Sequence, residues 1–189
     1  MRESLKNFTD PRVSFQKSDA KDLPFASNLF EGITINNSLH HFENIPSVLA
    51  EASRVLADCG YLIINEMCSD EGQSPAQQSH IMIHHWFADL DKMMNRFHDY
   101  TYTSEKLRNL VTENGFKIIH QDIYDHAIPN PKDENLVRNY RQTITNTKMR
   151  AEQNQAPSSF LEKTDTILVH LDQHGYSPAR SILIIAQKA

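Results

Sequence analysis

The sequence predicts an α/β fold built on a parallel β-sheet. Residues 31–38 (EGITINNS) carry three adjacent β-branched side chains, which are typical of a buried strand. Residues 44–60 place apolar side chains at helical spacing, with Asn44 as the N-cap and Gly60 as the stop. Residues 61–67 (YLIINEM) form a compact apolar strand. A strand, a helix and a strand with short connections make a βαβ crossover, which joins parallel strands.

Further patterns extend this frame on both sides. Upstream, residues 2–8 fit the end of a helix, and residues 12–19 alternate apolar and polar side chains as a strand does. Downstream, the sequence predicts a helix at 76–97, a helix from Thr103 or Ser104 to Gly115, a strand at 116–126, two polar helices at 133–154 and 158–174, and a closing strand at 181–189. The 189 residues therefore suit a single domain with a core of its own.

Composition excludes several classes of protein. Hydrophobic residues make up 39% of the chain and charged residues 23%, which is typical of a globular protein. The net charge of −5 argues against a nucleic-acid partner bound through a basic surface. No apolar run approaches the length of a membrane helix, so no membrane partner is expected. The two cysteines, Cys59 and Cys68, form no zinc or disulfide pattern, and we expect a reducing, cytoplasmic compartment.

A dense set of motifs runs from residue 18 to residue 66. In order, these motifs are Asp-Ala after a strand, Leu-Pro-Phe, an acidic residue opening the next strand, Ser-Leu-His-His-Phe, a Glu-x-x-Arg-Val-Leu helix, a glycine and an apolar strand ending in Glu. In this order and spacing, the segment resembles the middle of the class I S-adenosylmethionine-dependent methyltransferases, in their small-molecule branch. The resemblance implies a Rossmann-like sheet with an antiparallel C-terminal tail and S-adenosylmethionine as the cofactor.

The resemblance also implies roles for seven residues. Asp19 and Ala20 match the positions that contact the adenine ring, where a carboxylate accepts from the exocyclic amine and a small side chain admits the ring. Asn36, Asn37 and Ser38 match the strand end that lines the methionine part of the cofactor. His40 and His41 match residues beside the transferred methyl group, as a general base or as acceptor-positioning groups. The alternative for this histidine pair is structural, with one ring packed under the next helix and the other in solvent.

One part of the family pattern has no counterpart in the sequence. The acidic, glycine-rich loop after the first strand is absent, because the five glycines are not spaced to form it; they are Gly32, Gly60, Gly72, Gly115 and Gly175. We therefore expect an incomplete, N-terminally truncated domain that lacks the first strand-helix-strand unit. The strand at 32–37 should then be an exposed apolar edge. Residues 1–189 on their own should bind S-adenosylmethionine weakly or not at all.

Histidines on the predicted helix at 76–97 offer a second kind of site. His80 and His84 are four residues apart and share a helix face, which suits a metal pair, and His85 adjoins them. No carboxylate or cysteine stands at a matching offset to complete a ligand set. We therefore predict no metal site, and favour a solvated or substrate-lining helix.

Two segments are candidates for acceptor binding or for a lid, residues 69–100 and residues 130–175. The first carries methionine and aromatic side chains that fit either a lid over an acceptor pocket or core packing against the sheet; they are Met82, Trp86, Phe87, Met93, Met94 and Phe97. The second is predicted to be a helical insertion near the C-terminal hairpin, and its charged part, residues 132–155, is expected to be mostly a solvated helix or a lid.

The activity implied by the resemblance is methyl transfer from S-adenosylmethionine to an oxygen, nitrogen or carbon nucleophile of a small-molecule acceptor. The alternative is a non-catalytic interaction module, in which a partner chain or a second copy covers the exposed strand edge. A metal-dependent hydrolase that uses the histidines is a third alternative, and no ligand constellation in the sequence supports it.

Overall fold

The computed structural model describes residues 10–70 and 72–189; the helix end expected at residues 2–8 lies outside this part of the chain. The elements in chain order are β1 (Phe30–Asn36), a 3-10 turn (Leu39–His41), α1 (Ile45–Val55), β2 (Leu56–Met67), α2 (Pro75–Met93), α3 (Ser104–Glu113), β3 (Phe116–Tyr124), α4 (Glu134–Gln153), α5 (Ser158–His174) and β4 (Ser181–Lys188). Strands and helices alternate through the first half, as the motif order predicts.

The four strands form one sheet in the order β1-β2-β4-β3. β1 and β2 are parallel, with Ile35 opposite Ile64, so the predicted βαβ crossover is confirmed. β4 pairs antiparallel with both β2 and β3. The sheet therefore has a parallel half that carries the dense motifs and an antiparallel half at the C-terminal end of the chain.

The two larger apolar clusters of the described residues hold most of the fold together. The first packs α1 and α3 on the sheet and includes the fully buried Leu49, Leu62 and Leu107. The second joins α2, α4 and α5 around Trp86, Ile144 and other buried side chains. α2 thus belongs to a helical layer of its own, and the chain after α2 returns from that layer to the sheet.

Two predicted helix ends differ from the observed ones. α1 ends at Val55 and not at Gly60, because Leu56 is fully buried in extended geometry and pairs with Phe30 of β1. Sheet pairing and burial therefore outweigh the helical pattern of residues 56–60. α2 ends at Met93, four residues before the predicted end at residue 97, and a turn with Asn95 at φ 56 follows it.

The strand predicted at residues 12–19 is not present. Residues 13–18 have no regular secondary structure, and Asp19 makes an isolated bridge with Asp22. Val13 stays 44% exposed. Alternating side chains predict a strand that buries one face, but Val13 on that face is exposed.

β1 is an edge strand in the described part of the chain, as the sequence analysis expected. An apolar cavity of about 310 Å³ lies beside it, lined by Ile33 and Ile35 of β1 and by side chains of α1. Among the described helices, none is both long enough and apolar enough to cross a membrane.

Candidate active site

The carboxyl ends of β1 and β2 meet at one edge of the sheet, and the backbone there is held by polar side chains. Asn37 has a φ of 45°, which reverses the chain directly after β1. Its backbone N–H donates to Asn65 O at 2.8 Å, and its side-chain oxygen accepts from Met67 N at 3.1 Å. The end of a parallel strand pair is where α/β folds place ligands.

Glu66 is a fully buried carboxylate at this edge. Its Oε2 accepts the backbone N–H groups of Ser38 and Leu39, each at 3.0 Å, and its Oε1 lies 2.6 Å from His40 Nδ1. A carboxylate only accepts, so the proton of this last bond is on His40 Nδ1. Glu66 thereby shapes the turn after β1 and orients the His40 ring, whose Nε2 points away with a free lone pair.

Two further imidazoles, those of His84 and His98, lie near that lone pair. His84 Nε2 of α2 lies 3.3 Å from His40 Nε2 and 3.4 Å from His98 Nε2, which comes from the segment between α2 and α3. His98 in turn places its Nδ1 2.8 Å from Asp91 Oδ2. One potential ligand atom from each of the three histidines lies within 4.8 Å of the others.

The backbone of His40 and the ring of His41 connect this cluster to the rest of the fold. His40 O accepts from Asp99 N at 2.7 Å, which ties the turn to the segment that carries His98. The His41 ring packs on His98 and on His40, with centroids 4.2 and 4.3 Å apart. Burial, with the neighbouring imidazoles second, lowers the pKa of His41, and the same causes lower the pKa of His84 to about 3.

A cavity of about 370 Å³ lies on the other side of His41. Asp19, Ala20, Phe42 and Phe97 line it together with His41. The cavity therefore adjoins the histidine cluster through the His41 ring. A pocket with an acid, a small side chain and aromatic walls suits a flat heterocycle, and the adjacent imidazoles suit proton or ligand chemistry.

The loop on the Asp19 side is fastened to α1 by an ion pair. Arg54 Nη2 lies 2.6 Å from Glu51 Oε1, and the same guanidinium donates to Leu23 O and Phe25 O at 3.1 and 2.9 Å. Glu51 Oε1 also accepts from Leu23 N at 2.7 Å. The guanidinium and this N–H lower the pKa of Glu51 to about 2. The Glu-x-x-Arg motif of α1 therefore holds the Leu-Pro-Phe loop in place.

Sequence relatives connect this arrangement to a family. The family model described as "Methyltransferase domain" matches residues 1–64. The ubiquinone/menaquinone biosynthesis C-methyltransferase UbiE of Desulfotalea psychrophila is 40% identical over 60 residues, which are 32% of this chain and 24% of that protein. The O-methyltransferase resE of Aspergillus sclerotiorum is 30% identical over 119 residues, which are 62% of this chain and 41% of that protein.

Solved structures share the fold over almost the whole chain. A protein of Bacillus halodurans C-125 superposes with a TM-score of 0.60 at 15% identity, covering 99% of this chain and 76% of that one. A SAM-dependent methyltransferase of Methanosarcina mazei superposes with a TM-score of 0.53 at 14% identity, with the same coverage. Residues 1–64 are therefore similar to the methyltransferase domain family, and the chain shares the Rossmann-like fold of these solved structures. It spans less than half the length of the curated relatives it matches.

The five residues that the resemblance predicts to contact the cofactor fall into two groups. Asp19 and Ala20 line the cavity beside His41, and Asp19 Oδ1 also accepts from Lys21 N at 3.0 Å. The other three residues bond mainly to the strand ends: Asn36 Oδ1 accepts from Asn65, Asn37 is held by β2, and Ser38 Oγ donates to Asn36 O. Asn36 and Asn37 are still exposed, so their outer faces can contact a ligand.

The two histidines of the methyltransferase motif have different environments. His40 is 4% exposed, with its Nδ1 bonded to Glu66 and its Nε2 3.3 Å from His84 Nε2, whereas His41 is exposed at the cavity. One ring is therefore buried and the other open, as the structural alternative describes, but the buried ring belongs to a polar cluster. Only His41 of this pair is therefore open to a ligand in the cavity, whereas the His40 ring contacts other buried polar side chains.

The histidines of α2 do not form the pair that their spacing suggests. His80 Nδ1 accepts from Ala179 N at 3.0 Å, and His85 Nε2 lies 2.8 Å from Thr101 Oγ1. Only His84 of this group joins the cluster with His40 and His98.

The methionine and aromatic side chains of residues 82–97 also fall into two groups. Trp86 is buried in the helical cluster, and Met82 and Phe87 pack against it. The remaining three side chains lie at or beyond the helix end and are 40–46% exposed; they are Met93, Met94 and Phe97. Phe97 faces the cavity of Asp19, so residues 69–100 contribute to the pocket through their last part.

Sequence reasoning did not single out Glu66, Asp91 or His98 as site residues. Glu66 had one usable signal, since it stands at the carboxyl end of a strand parallel to the strand that precedes His40. Asp91 is seven residues after His84 on the same helix, and His98 lies in an irregular segment without periodicity. Only the folded path of residues 94–103 brings His98 back to the sheet edge.

Proposed function

We propose that this protein takes part in methyl transfer from S-adenosylmethionine to a small-molecule acceptor, and that the cavity beside His41 is the cofactor and acceptor site. The observation that carries the proposal is the joint lining of one cavity by Asp19, Ala20 and His41, at the carboxyl edge of a parallel strand pair. The relatives named for C- and O-methylation support a small-molecule acceptor. The free cysteines, Cys59 and Cys68, support a reducing compartment, the cytoplasm.

In this proposal each group has a defined task. The Asp19 carboxylate accepts from the adenine amine, and Ala20 leaves room for the ring. Asn36, Asn37 and Ser38 lie at the methionine end. His41 faces the acceptor and takes its proton where the acceptor keeps one, and His40 positions the His41 ring from behind. Methyl transfer is a displacement, so alignment of acceptor and methyl group supplies most of the catalysis.

We infer that residues 1–189 on their own bind the cofactor weakly. The sequence has no acidic, glycine-rich loop, and the family uses that loop for close backbone approach to the cofactor. In the described part of the chain, β1 is an edge strand with no strand beside it on the cofactor side. The remaining contacts therefore cover one side of the ligand.

A titration with S-adenosylhomocysteine, followed by ¹H–¹⁵N NMR, tests both statements on the 189-residue chain. We expect fast-exchange shifts at Asp19, Ala20 and His41 with millimolar affinity. Asp19→Ala should reduce these shifts, and Asp122→Ala, an exposed carboxylate on β3, should not. Shifts confined to other surfaces would contradict the proposed site, and micromolar affinity would contradict weak binding by these residues alone.

A second candidate function is favoured by the open edge of β1. We propose as the alternative that a second copy of this chain pairs with β1 and covers the apolar cavity beside it, which makes the chain an interaction module. Size-exclusion chromatography with light scattering separates the two. A dimer without cofactor binding supports the module, and a monomer across a wide concentration range removes it.

A further inference from the structure

The three converging imidazoles have the spacing of metal ligands. Two nitrogens bound tetrahedrally to zinc at about 2.0–2.1 Å lie about 3.3–3.4 Å apart. The Nε2 atoms of His40 and His84 are 3.3 Å apart, and those of His84 and His98 are 3.4 Å apart. These separations are also longer than the usual hydrogen bond between nitrogen atoms.

The protons of the cluster lead to the same conclusion. Glu66 fixes the proton of His40 on Nδ1, and Asp91 fixes that of His98 on Nδ1 in the same way. Both Nε2 atoms therefore present lone pairs to His84 Nε2. If His84 carries its proton on Nε2, it can point that proton fully at one lone pair only. If it carries the proton on Nδ1, three lone pairs face one another around a common point.

The surroundings of the cluster are those of a metal site. A metal-bound histidine usually donates the N–H of its second ring nitrogen to a carboxylate or a carbonyl. This hydrogen bond fixes the tautomer and makes the ligand nitrogen more basic. Two of these three histidines do so, His40 to Glu66 and His98 to Asp91. Glu66 is itself held by two backbone N–H groups, and Asp91 by Arg96 at 3.5 Å. His84 Nδ1 is buried and has no partner among the described residues.

We propose that His40, His84 and His98 bind one divalent transition-metal ion, with zinc as the ion that suits three imidazoles in this geometry. Within the part of the chain that the structure describes, no fourth histidine, cysteine or carboxylate joins the group. The ion therefore keeps an open position for water or for an oxygen donor of a ligand, as zinc sites with three protein ligands do. The site adjoins the proposed methyl-transfer cavity through the His41 ring but does not depend on that function.

Zinc binding by the chain without an affinity tag is the direct test. Metal is first removed with a chelator, and zinc is then added back. We expect the chain to bind one zinc ion, measured by elemental analysis and calorimetry. Co²⁺ should give the visible absorption of a tetrahedral site. His84→Ala and His98→Ala should each weaken zinc binding by about 100-fold or more, and Asp91→Asn by about 10–100-fold. Sub-stoichiometric zinc in the wild-type chain would overturn the proposal.

One control variant separates this site from general histidine binding. His120→Ala removes an exposed histidine of β3 that is not one of the three ligands, and it should bind zinc as the wild type does. Equal losses in the control and ligand variants would overturn the proposal.

Folding of the variants is checked by circular dichroism, and a second measurement needs no substitution. Imidazole ¹⁵N spectra of the wild-type chain, recorded during zinc addition, should shift the Nε2 signals of three histidines and leave the others in place. Absence of that selective shift would overturn the proposal even if a ligand variant failed to fold.

Discussion

Two carboxylates near the site, Glu51 and Glu66, are held in contrasting ways. Glu51 pairs with Arg54 three residues along the same helix, with side chains 11% and 38% exposed, and the pair fastens the loop of Leu23. Glu66 pairs with His40, 26 residues earlier in the chain, and both side chains are at most 5% exposed. The first arrangement is set by helix periodicity, whereas the second exists only after the parallel strands have paired. The contrast teaches that a pair within one helix fixes the loop at the wall of the pocket, whereas a buried, non-local pair orients the histidine ring of the site.

Loss of the Glu66 side chain should give the largest effect. Glu66→Ala leaves the N–H groups of Ser38 and Leu39 and the His40 ring without their buried acceptor. We expect the free energy of unfolding to fall by about 3–5 kcal/mol, measured by urea denaturation. Glu31→Ala, an exposed glutamate on β1, should change it by no more than about 0.5 kcal/mol. A loss for Glu66→Ala as small as that of the control would remove the contrast between the two pairs.

Arg54→Ala should give a smaller, local effect. The guanidinium bridges Glu51 to the carbonyls of Leu23 and Phe25, so its loss frees the loop while leaving both apolar clusters intact. We expect faster proteolytic cleavage within residues 19–29 and a melting temperature above that of Glu66→Ala. Arg54→Lys keeps the charge but not the forked geometry, and should lie between Arg54→Ala and the wild type. Cleavage spread evenly over the chain would contradict a local role.

The same contrast explains which features the sequence could predict. The helix caps and the Glu-x-x-Arg motif depend on neighbours within a few residues. The local sequence around Asn44, Glu51 and Thr103 therefore predicts them. The helix end at Val55 and the absent strand at 12–19 depend on whether a partner strand is present, which local pattern does not encode. The histidine cluster is the extreme case, because the side chains of His40, His84 and His98 come from a turn, a helix and an irregular segment.

The Glu51 pair should contribute to stability in acid. The pKa of Glu51 is lowered from 4.5 to about 2, first by Arg54 and then by the Leu23 N–H. A lowered pKa in the folded state stabilises the protein above the unfolded-state value, and this stabilisation is lost as the pH falls from about 4.5 toward 2. Glu51→Gln should therefore flatten the decline in melting temperature across this range. Arg54→Ala should flatten it as well, and an unchanged slope in both variants would contradict the pairing.

Removal of the Asn44 cap should have the smallest effect that is still measurable. The Asn44 side chain accepts from Ser47 N at 3.0 Å at the start of α1, the helix that carries Glu51 and Arg54. Asn44→Ala should lower the free energy of unfolding by about 1 kcal/mol, and Asn44→Asp should retain most of it because aspartate also caps. Thr103→Ala, at the cap of α3, is the matched variant away from the pocket. Because both caps act within one helical turn, their losses should be similar and should add to that of Glu66→Ala. A larger loss for Asn44→Ala, or a sum that fails to add, would mean that the start of α1 is coupled to the turn of His40, and that the local and non-local parts of the site form one unit.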